Sequence, residues 1–442
     1  MEDWREEYQR KLVSAEEVAK LVKPGDTISF TLGREAYSVG LAIAARAGEL
    51  RDVKIFQPFP GYDFGWYDPG WEEFFQITIY MPTAISQQMV NERRCDIEIN
   101  DILCWSESTR RESDMVITEV SPPDEKGFCS FGAALWNKRK HIKRSKIVVA
   151  EVNDRLIRTF GDNFVHVSEI DYFVPHQPTG GVVADGSLGG REIKKPEPYM
   201  KDIAGHVSEL IKDGDTLQIG IGRVTERLVE LGLLDGKRDL GWYSEATPPG
   251  VIRLVREGVI NGRRKNFLPG KVVVTSLGGA SKEDMDWANN NPLFWLVDVD
   301  FLWDVRNIAA NDNMVAINQA LSVDLSGQIA SESLGFRILS GSGGQTAFAY
   351  GALLSKGGRS ITVLPSVVRT KEGKLVSRIV PAFEPGTAIT VTRNCADYVV
   401  TEYGIARLRG KSLRQRAQEL IAVAHPDFRT ELQQEAKRLY WP

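Results

Sequence analysis

At 442 residues the chain is too long for one ordinary domain and long enough for two of roughly 200 residues, each with its own core. Hydrophobic residues at 42% and charged residues at 26% are the proportions of a globular protein in water, and no apolar run approaches the ~20 residues of a membrane-spanning helix. A net charge of −4 speaks against a general polyanion-binding surface, so neither nucleic acid nor a membrane is an expected partner.

In chain order, the N-terminus MEDWREEYQRK is acidic and polar where a secretory signal is basic and then apolar, so a cytoplasmic location is expected. Ser14 followed by Glu17 is a capping box that opens an amphipathic helix. A Gly-Asp turn, an apolar strand and Gly-Arg follow in LVKPGDTISFTLGR (Leu21 to Arg34), and a second strand lies within LRDVKIF (Leu50 to Phe56). From Phe56 to Tyr80 come ten of the chain's forty aromatic residues, read either as core or as the lining of an apolar substrate pocket. The basic run NKRKHIKRSK (Asn137 to Lys146) is read as a solvated helix face. Cys95, Cys104, Cys129 and Cys395 include no C-x-x-C pair, so free thiols are expected rather than disulfides or a zinc site. Proline and glycine concentrate between Val174 and Pro198, which places a linker there and divides the chain into domains 1–185 and 186–442.

The second domain repeats the first. LIKDGDTLQIGIGR (Leu210 to Arg223) matches Leu21 to Arg34 without a gap, and after a skip of two residues KRDLGWY (Lys237 to Tyr243) matches Leu50 to Phe56. Weaker matches pair Asp124-Glu125-Lys126-Gly127 with Asp324-Leu325-Ser326-Gly327, and IVVAE (Ile147 to Glu151) with ITVLP (Ile361 to Pro365). A diverged tandem duplication of one α/β unit accounts for this, and strands spaced by helices imply two similar, open, mostly parallel sheets. Where copy one has Gln57-Pro58, copy two has Ser244-Glu245; copy two also inserts residues around SGSGGQTAFAYGALLSKGG (Ser340 to Gly358).

Ligands of open parallel sheets sit beyond the carboxyl ends of the strands, which is where Glu245 falls. There it could be a base, a metal ligand or a nucleophile, or a helix cap or surface charge beside ATPPG. In GSGGQ, residues Gly341, Gly343 and Gly344 let the main chain approach a ligand ahead of a helix, either as an anion site or as a flexible loop. No Walker A loop, complete G-x-G-x-x-G or G-x-S-x-G elbow is present, which disfavours phosphoryl transfer, hydride transfer and α/β-type serine hydrolysis. His141, His166, His176, His206 and His425 form no H-E-x-x-H, so no metal site is expected.

Long stretches resemble the acetyl-CoA hydrolase/transferase group of family I CoA-transferases, which includes 4-hydroxybutyrate, butyrate and succinate CoA-transferases. They are ITEVSPPDEKGFCSFG and VVAEVNDRLIRTFGDNFVHVSEID in the first half. In the second they are LQIGIGRV, NDNMVAINQALSVDLSGQ, SRIVP and TEYGIARLRGKSLRQRAQELIAVAHPDFRTEL. The resemblance implies that Glu245 is the nucleophile of a ping-pong CoA-transferase, passing through a glutamyl anhydride and a covalent glutamyl-CoA thioester. It further implies Gly344 as the oxyanion glycine and Gly220, Ile221, Gly222, Arg223 and Val224 as the CoA-binding turn, with Ser340 and Lys371 assisting. Acyl-CoA and a small carboxylic acid are then the substrates, with no cofactor beyond CoA itself and a homodimer or homotetramer as the assembly. Two departures stand out: Ala246-Thr247-Pro248-Pro249-Gly250 follows the glutamate, and Trp303-Asp304-Val305 stands where the family commonly has Asn-Asp-Pro. The second removes an amide donor and, with the clustered aromatics and Trp242, suggests a bulky or aromatic acyl group. An acyl-CoA hydrolase and a non-catalytic ligand sensor on the same fold are the alternatives.

Overall fold

The structure, a computed structural model, describes residues 3–32, 36–99, 112–178, 195–279, 281–370 and 372–441. The capping box forms as its residues dictate. Ser14 Oγ accepts from the Glu17 N–H at 3.1 Å, Glu17 Oε2 accepts from the Ser14 N–H at 2.8 Å, and helix α1 (Ala15–Ala19) begins there. Seven strands follow: β1 (Thr27–Phe30), β2 (Val53–Gln57), β3 (Phe75–Ile79), β4 (Asp96–Ile97), β5 (Ser113–Val120), β6 (Ser145–Val152) and β7 (Tyr172–Pro175). They make one sheet in the order β7-β6-β5-β1-β2-β3-β4, every pairing parallel. Sheets of this kind are covered on both faces, and Ile28, Ser29 and Phe30 of β1 are accordingly all buried. Helices α2 (Tyr37–Ala44) and α3 (Lys138–Arg144) belong to the same unit.

In the second unit, α4 (Pro198–Glu209) leads into β8 (Thr216–Ile219), β9 (Gly241–Tyr243), β10 (Val272–Val274), β11 (Met314–Gln319), β12 (Arg359–Val363), β13 (Tyr398–Thr401) and β14 (Gly404–Arg407). Their order is β14-β13-β12-β11-β8-β9-β10, parallel except for the β13–β14 hairpin. The run β6-β5-β1-β2-β3 thus has the same topology as β12-β11-β8-β9-β10, which is the duplication seen as structure. Thr27 pairs with Lys54 and Thr216 with Gly241, separations of 27 and 25 residues. The two-residue skip in the repeat is therefore a shorter connection, and the register is unchanged.

The chain divides into two compact units, Met1–Ile193 with Thr275–Asp300, and Lys194–Val274 with Phe301–Pro442. The expected break at 185/186 falls within residues 179–194, outside those described. Thr275–Asp300 lies in the first unit because its backbone is bonded there. Leu135 N–H donates to Thr275 O at 2.9 Å and Leu277 N–H to Ala133 O at 2.7 Å, while Trp295 and Leu296 pair in parallel with Phe160 and Gly161.

Two local readings are settled by burial. Of the clustered aromatics, Phe56, Phe64, Trp66, Tyr67, Phe75 and Tyr80 are buried, with ring centroids 4.5 Å apart for Phe64–Trp66 and 5.5 Å for Trp66–Phe75, so for these six the core reading holds. The basic run is not simply a solvated face. Lys138 is 1% exposed, and burial pushes its ammonium down to about 8 against the opposing pull of Glu119. Lys140 is paired with Asp298 at 3.3 Å and with Asp300. Among the described residues no helix is long and apolar enough to cross a membrane.

Candidate active site

Glu245 lies two residues beyond the carboxyl end of β9. Its backbone is fixed from both neighbouring strands: Ser244 Oγ donates to Ile219 O at 3.3 Å, at the end of β8, and Ser244 N–H donates to Val273 O of β10 at 3.1 Å. The following Ala246, Thr247, Pro248 and Pro249 are buried, and Gly250, at φ +89°, caps helix α5 (Val251–Arg256). Glu245 is therefore not the N-cap that its sequence neighbourhood allowed, because that position belongs to Gly250.

Glu245 is half-buried, with its carboxyl against Trp303 and Gly344. Burial pushes it up to about 7, and two donors oppose that rise: the Trp303 indole and the Gly344 backbone N–H. Trp303 Nε1–H donates to Oε1 at 2.6 Å, a short, charge-assisted bond when the carboxyl is ionised. Trp303 is the last residue of α6 (Val299–Trp303) and is 2% exposed. Asp304 then caps α7 (Val305–Ala309) by accepting from Arg306 N–H at 2.8 Å, so the chain leaving Trp303 is pinned.

Gly344 is the N-cap of α8 (Gln345–Leu354), and that helix end meets the carboxylate with its partial positive charge. Its φ of −87° is open to any residue, so the need for glycine is spatial: a Cβ would collide with Glu245 Oε1 and with Trp303 Nε1. Gly343, at φ +54°, supplies the left-handed turn before it. At the first turn of α8, Gln345 Nε2 is buried with no hydrogen-bond partner among the described residues. Beneath the site, Lys265 is also buried; it donates to Trp242 O and Lys271 O at 3.0 Å each, and burial pushes its ammonium down to about 7.

Known proteins match the chain over nearly its whole length. The acetyl-CoA hydrolase/transferase N-terminal domain matches residues 1–183 and the corresponding C-terminal domain matches residues 280–436. The 4-hydroxybutyrate coenzyme A transferase of Clostridium kluyveri is 37% identical over 99% of this chain and 100% of its own length. The protein belongs to the acetyl-CoA hydrolase/transferase family. Within that family it stands among CoA-transferases: the succinyl-CoA:cyclohexane-1-carboxylate CoA transferase of Geobacter metallireducens is 35% identical over 99% of this chain and 97% of that one. In three dimensions, RipA from Yersinia pestis superposes with a TM-score of 0.90 at 29% identity, covering 100% of both chains.

Of the residues that the family resemblance nominated, the structure brings Glu245 and Gly344 into contact. The turn Gly220, Ile221, Gly222, Arg223, Val224 follows β8, and the Ser244–Ile219 bond ties the end of that strand to the Glu245 strand. Its glycines are required by close packing. A Cβ on Gly220 would collide with Asn318 Oδ1, and one on Gly222 would lie 2.7 Å from Gln319 Oε1. Gln319 Oε1 accepts from Val224 N–H at 2.7 Å, and Asn318 is locked to Gln218 by reciprocal amide bonds of 2.9 and 3.0 Å. Asn318 and Gln319, which support this turn, were visible in sequence only as part of NDNMVAINQAL. Arg223 is exposed and paired with Glu197. Ser340 is half-buried four residues before Gly344, its N–H bonded to Glu332 O at 3.0 Å, with Gly341 between them; Lys371 lies outside the described residues. The expected loss of a donor at Trp303 is corrected: the indole N–H itself supplies one.

Proposed function

We propose that the protein is a CoA-transferase that moves CoA from an acyl-CoA to a free carboxylate by a ping-pong mechanism, with Glu245 as nucleophile. The observation that carries this reading is the Glu245 carboxyl, pushed up to about 7 by burial and met by the Trp303 and Gly344 N–H groups. Such a group is about half ionised near neutral pH, and its anion lacks the hydration that blunts an exposed carboxylate. Attack on the thioester carbonyl forms a C–O bond, breaks the C–S bond and releases CoA thiolate, leaving an acyl-glutamyl anhydride. The thiolate attacks Cδ of Glu245, the acyl carboxylate departs, and glutamyl-CoA remains for a second acid to discharge. Every attacking and leaving group is an anion, so the cycle calls for N–H donors at oxyanions rather than a proton shuttle, and donors are what surround Glu245.

The turn Gly220 to Val224 is assigned to CoA, with Ser340, Gly341, Gly343 and Lys371 assisting. The second compact unit, Lys194–Val274 with Phe301–Pro442, acts as the domain that carries the nucleophile, and a cytoplasmic homodimer or homotetramer completes the proposal. A cyclic or aromatic acid is the first acceptor to try, given the relative named for cyclohexane-1-carboxylate.

Intact mass after incubation with acetyl-, butyryl-, succinyl- and benzoyl-CoA tests the reading. A CoA adduct that is absent in Glu245→Gln and discharged by an added carboxylic acid is the expected result. Thiol release that ignores the acid would make the protein a hydrolase. CoA binding with no adduct from any of the four donors would make it a ligand sensor.

A further inference from the structure

Trp303 stands where the family pattern commonly has asparagine, yet it is one of the groups closest to the reacting carboxylate. Buried indoles in this fold do not need a partner: Trp66 and Trp242 are fully buried, and their Nε1 atoms have none among the described residues. The Trp303 bond to Glu245 Oε1, at 2.6 Å, therefore calls for its own explanation.

We infer that Trp303 is a catalytic residue whose indole N–H, with the Gly344 N–H, forms the oxyanion hole for tetrahedral intermediates centred on Cδ of Glu245. The inference rests on the transferase reading above, because two steps of that cycle build such an intermediate. When CoA thiolate attacks the anhydride, the S–Cδ bond forms and the carbonyl electron pair moves onto Oε1. Collapse restores the C=O bond and breaks Cδ–Oε2, so the acyl carboxylate leaves with Oε2. When the acceptor carboxylate attacks glutamyl-CoA, a C–O bond forms at Cδ, charge again collects on Oε1, and the C–S bond breaks to release thiolate. In both steps the developing charge falls on the atom that the indole already contacts.

The donor is preorganised, which is what makes such a bond effective in a transition state. The Trp303 ring is 2% exposed, and Asp304 holds the backbone after it. Gly344 lies so close that a Cβ would collide with both Oε1 and Nε1, so the absence of a side chain there lets both donors reach one carboxylate.

The test is the discharge of preformed glutamyl-CoA, which requires attack at Cδ and contains no Glu245 carboxylate whose ionisation could change. Trp303 is replaced site-specifically by 3-benzothienylalanine, which keeps the bicyclic shape and puts sulfur in place of N–H, and in parallel by phenylalanine and by asparagine. The adduct is prepared by prolonged incubation with acyl-CoA and then mixed rapidly with acceptor acid. Loss of one oxyanion donor predicts discharge slower by roughly 10²–10³-fold in the isostere and in Trp303→Phe, with partial recovery in Trp303→Asn and with CoA affinity and melting temperature of the isostere unchanged. Discharge of the isostere's adduct at the wild-type rate would overturn the assignment. An absence of adduct in the wild-type protein would remove the transferase reading, and this inference with it.

Discussion

Replacing Glu245 by glutamine should make the protein more stable at alkaline pH while abolishing its covalent chemistry. Burial raises the Glu245 carboxyl from an ordinary 4.5 to about 7, and at about 1.4 kcal/mol per unit this sets about 3 kcal/mol against the ionised form in the folded chain. Below pH 4.5 the group is protonated in the folded and unfolded chains alike and contributes nothing. Between 4.5 and 7 the folded chain keeps a proton that the unfolded chain has lost, so stability falls as pH rises; above 7 the whole penalty applies. Glutamine keeps a carbonyl oxygen for the Trp303 and Gly344 donors and carries no charge. The gain from Glu245→Gln should thus be near zero at the acid end and reach about 3 kcal/mol by about pH 8. In a cooperative unit of roughly 150–250 residues this is a rise of about 6–12 °C in melting temperature. Paired thermal melts of the two proteins across the range from acid to mildly alkaline pH measure it. A melting difference that does not grow with pH would refute the reasoning. The same ionisation should appear in catalysis as a kcat/KM for acyl-CoA that rises with pH through an apparent pKa near 7.

Gly344→Ala puts a Cβ into Glu245 Oε1 and Trp303 Nε1, so adduct formation should fall by roughly 10²-fold or more while the ordinary φ of −87° keeps the cost in stability to about 1–3 kcal/mol; quenched-flow mass measurement with a parallel melt separates the two. Gly220→Ala drives a methyl into Asn318 Oδ1, whose amide is locked to Gln218, and should weaken CoA binding by roughly tenfold, read by calorimetric titration. Lys265→Met removes a buried ammonium pushed down to about 7. Below that pH the folded and unfolded chains are both protonated and the folded one bears the burial penalty, so the methionine variant should melt higher at pH 6 than the parent, with the advantage shrinking toward pH 10.

The duplication could be read from sequence because a parallel α/β unit writes its order into spacing. The Gly-Asp turn, the apolar strand and the two-residue skip all reappear as strand pairings of β1 with β2 and of β8 with β9. Features that depend on which distant segment packs where could not be read in that way. Nothing in Thr275–Asp300 announces that its backbone bonds to Ala133, Leu135 and Phe160–Gly161. The charge of NKRKHIKRSK suggested solvent, but α3 packs Lys138 over the Phe131 ring at 5.6 Å. Trp303 could be identified as a departure but not as a donor, since a replaced residue type says what is lost, and only coordinates say where the new N–H points.

A comparison with the first unit shows why position alone could not identify the chemistry. Glu151 also ends a parallel strand, β6, and also faces a helix N-terminus, that of α2. Its carboxylate accepts from Ser38 N–H and Val39 N–H at 3.3 Å each, from Ser38 Oγ at 2.9 Å, and is bonded to His176 Nδ1 at 2.6 Å. Both of its oxygens are thereby taken up in bonds that tie β6 to the start of α2 and to His176. Glu245 follows a different strand of the second unit, β9, and there burial outweighs the help of Trp303 and Gly344 and the carboxyl rises to about 7. A glutamate near a strand end is therefore compatible with either role, and the partners its carboxyl meets tell the two apart. Those partners are Ser38, Val39 and His176 in one copy and Trp303 and Gly344 in the other, residues that lie outside the sequence neighbourhood of either glutamate.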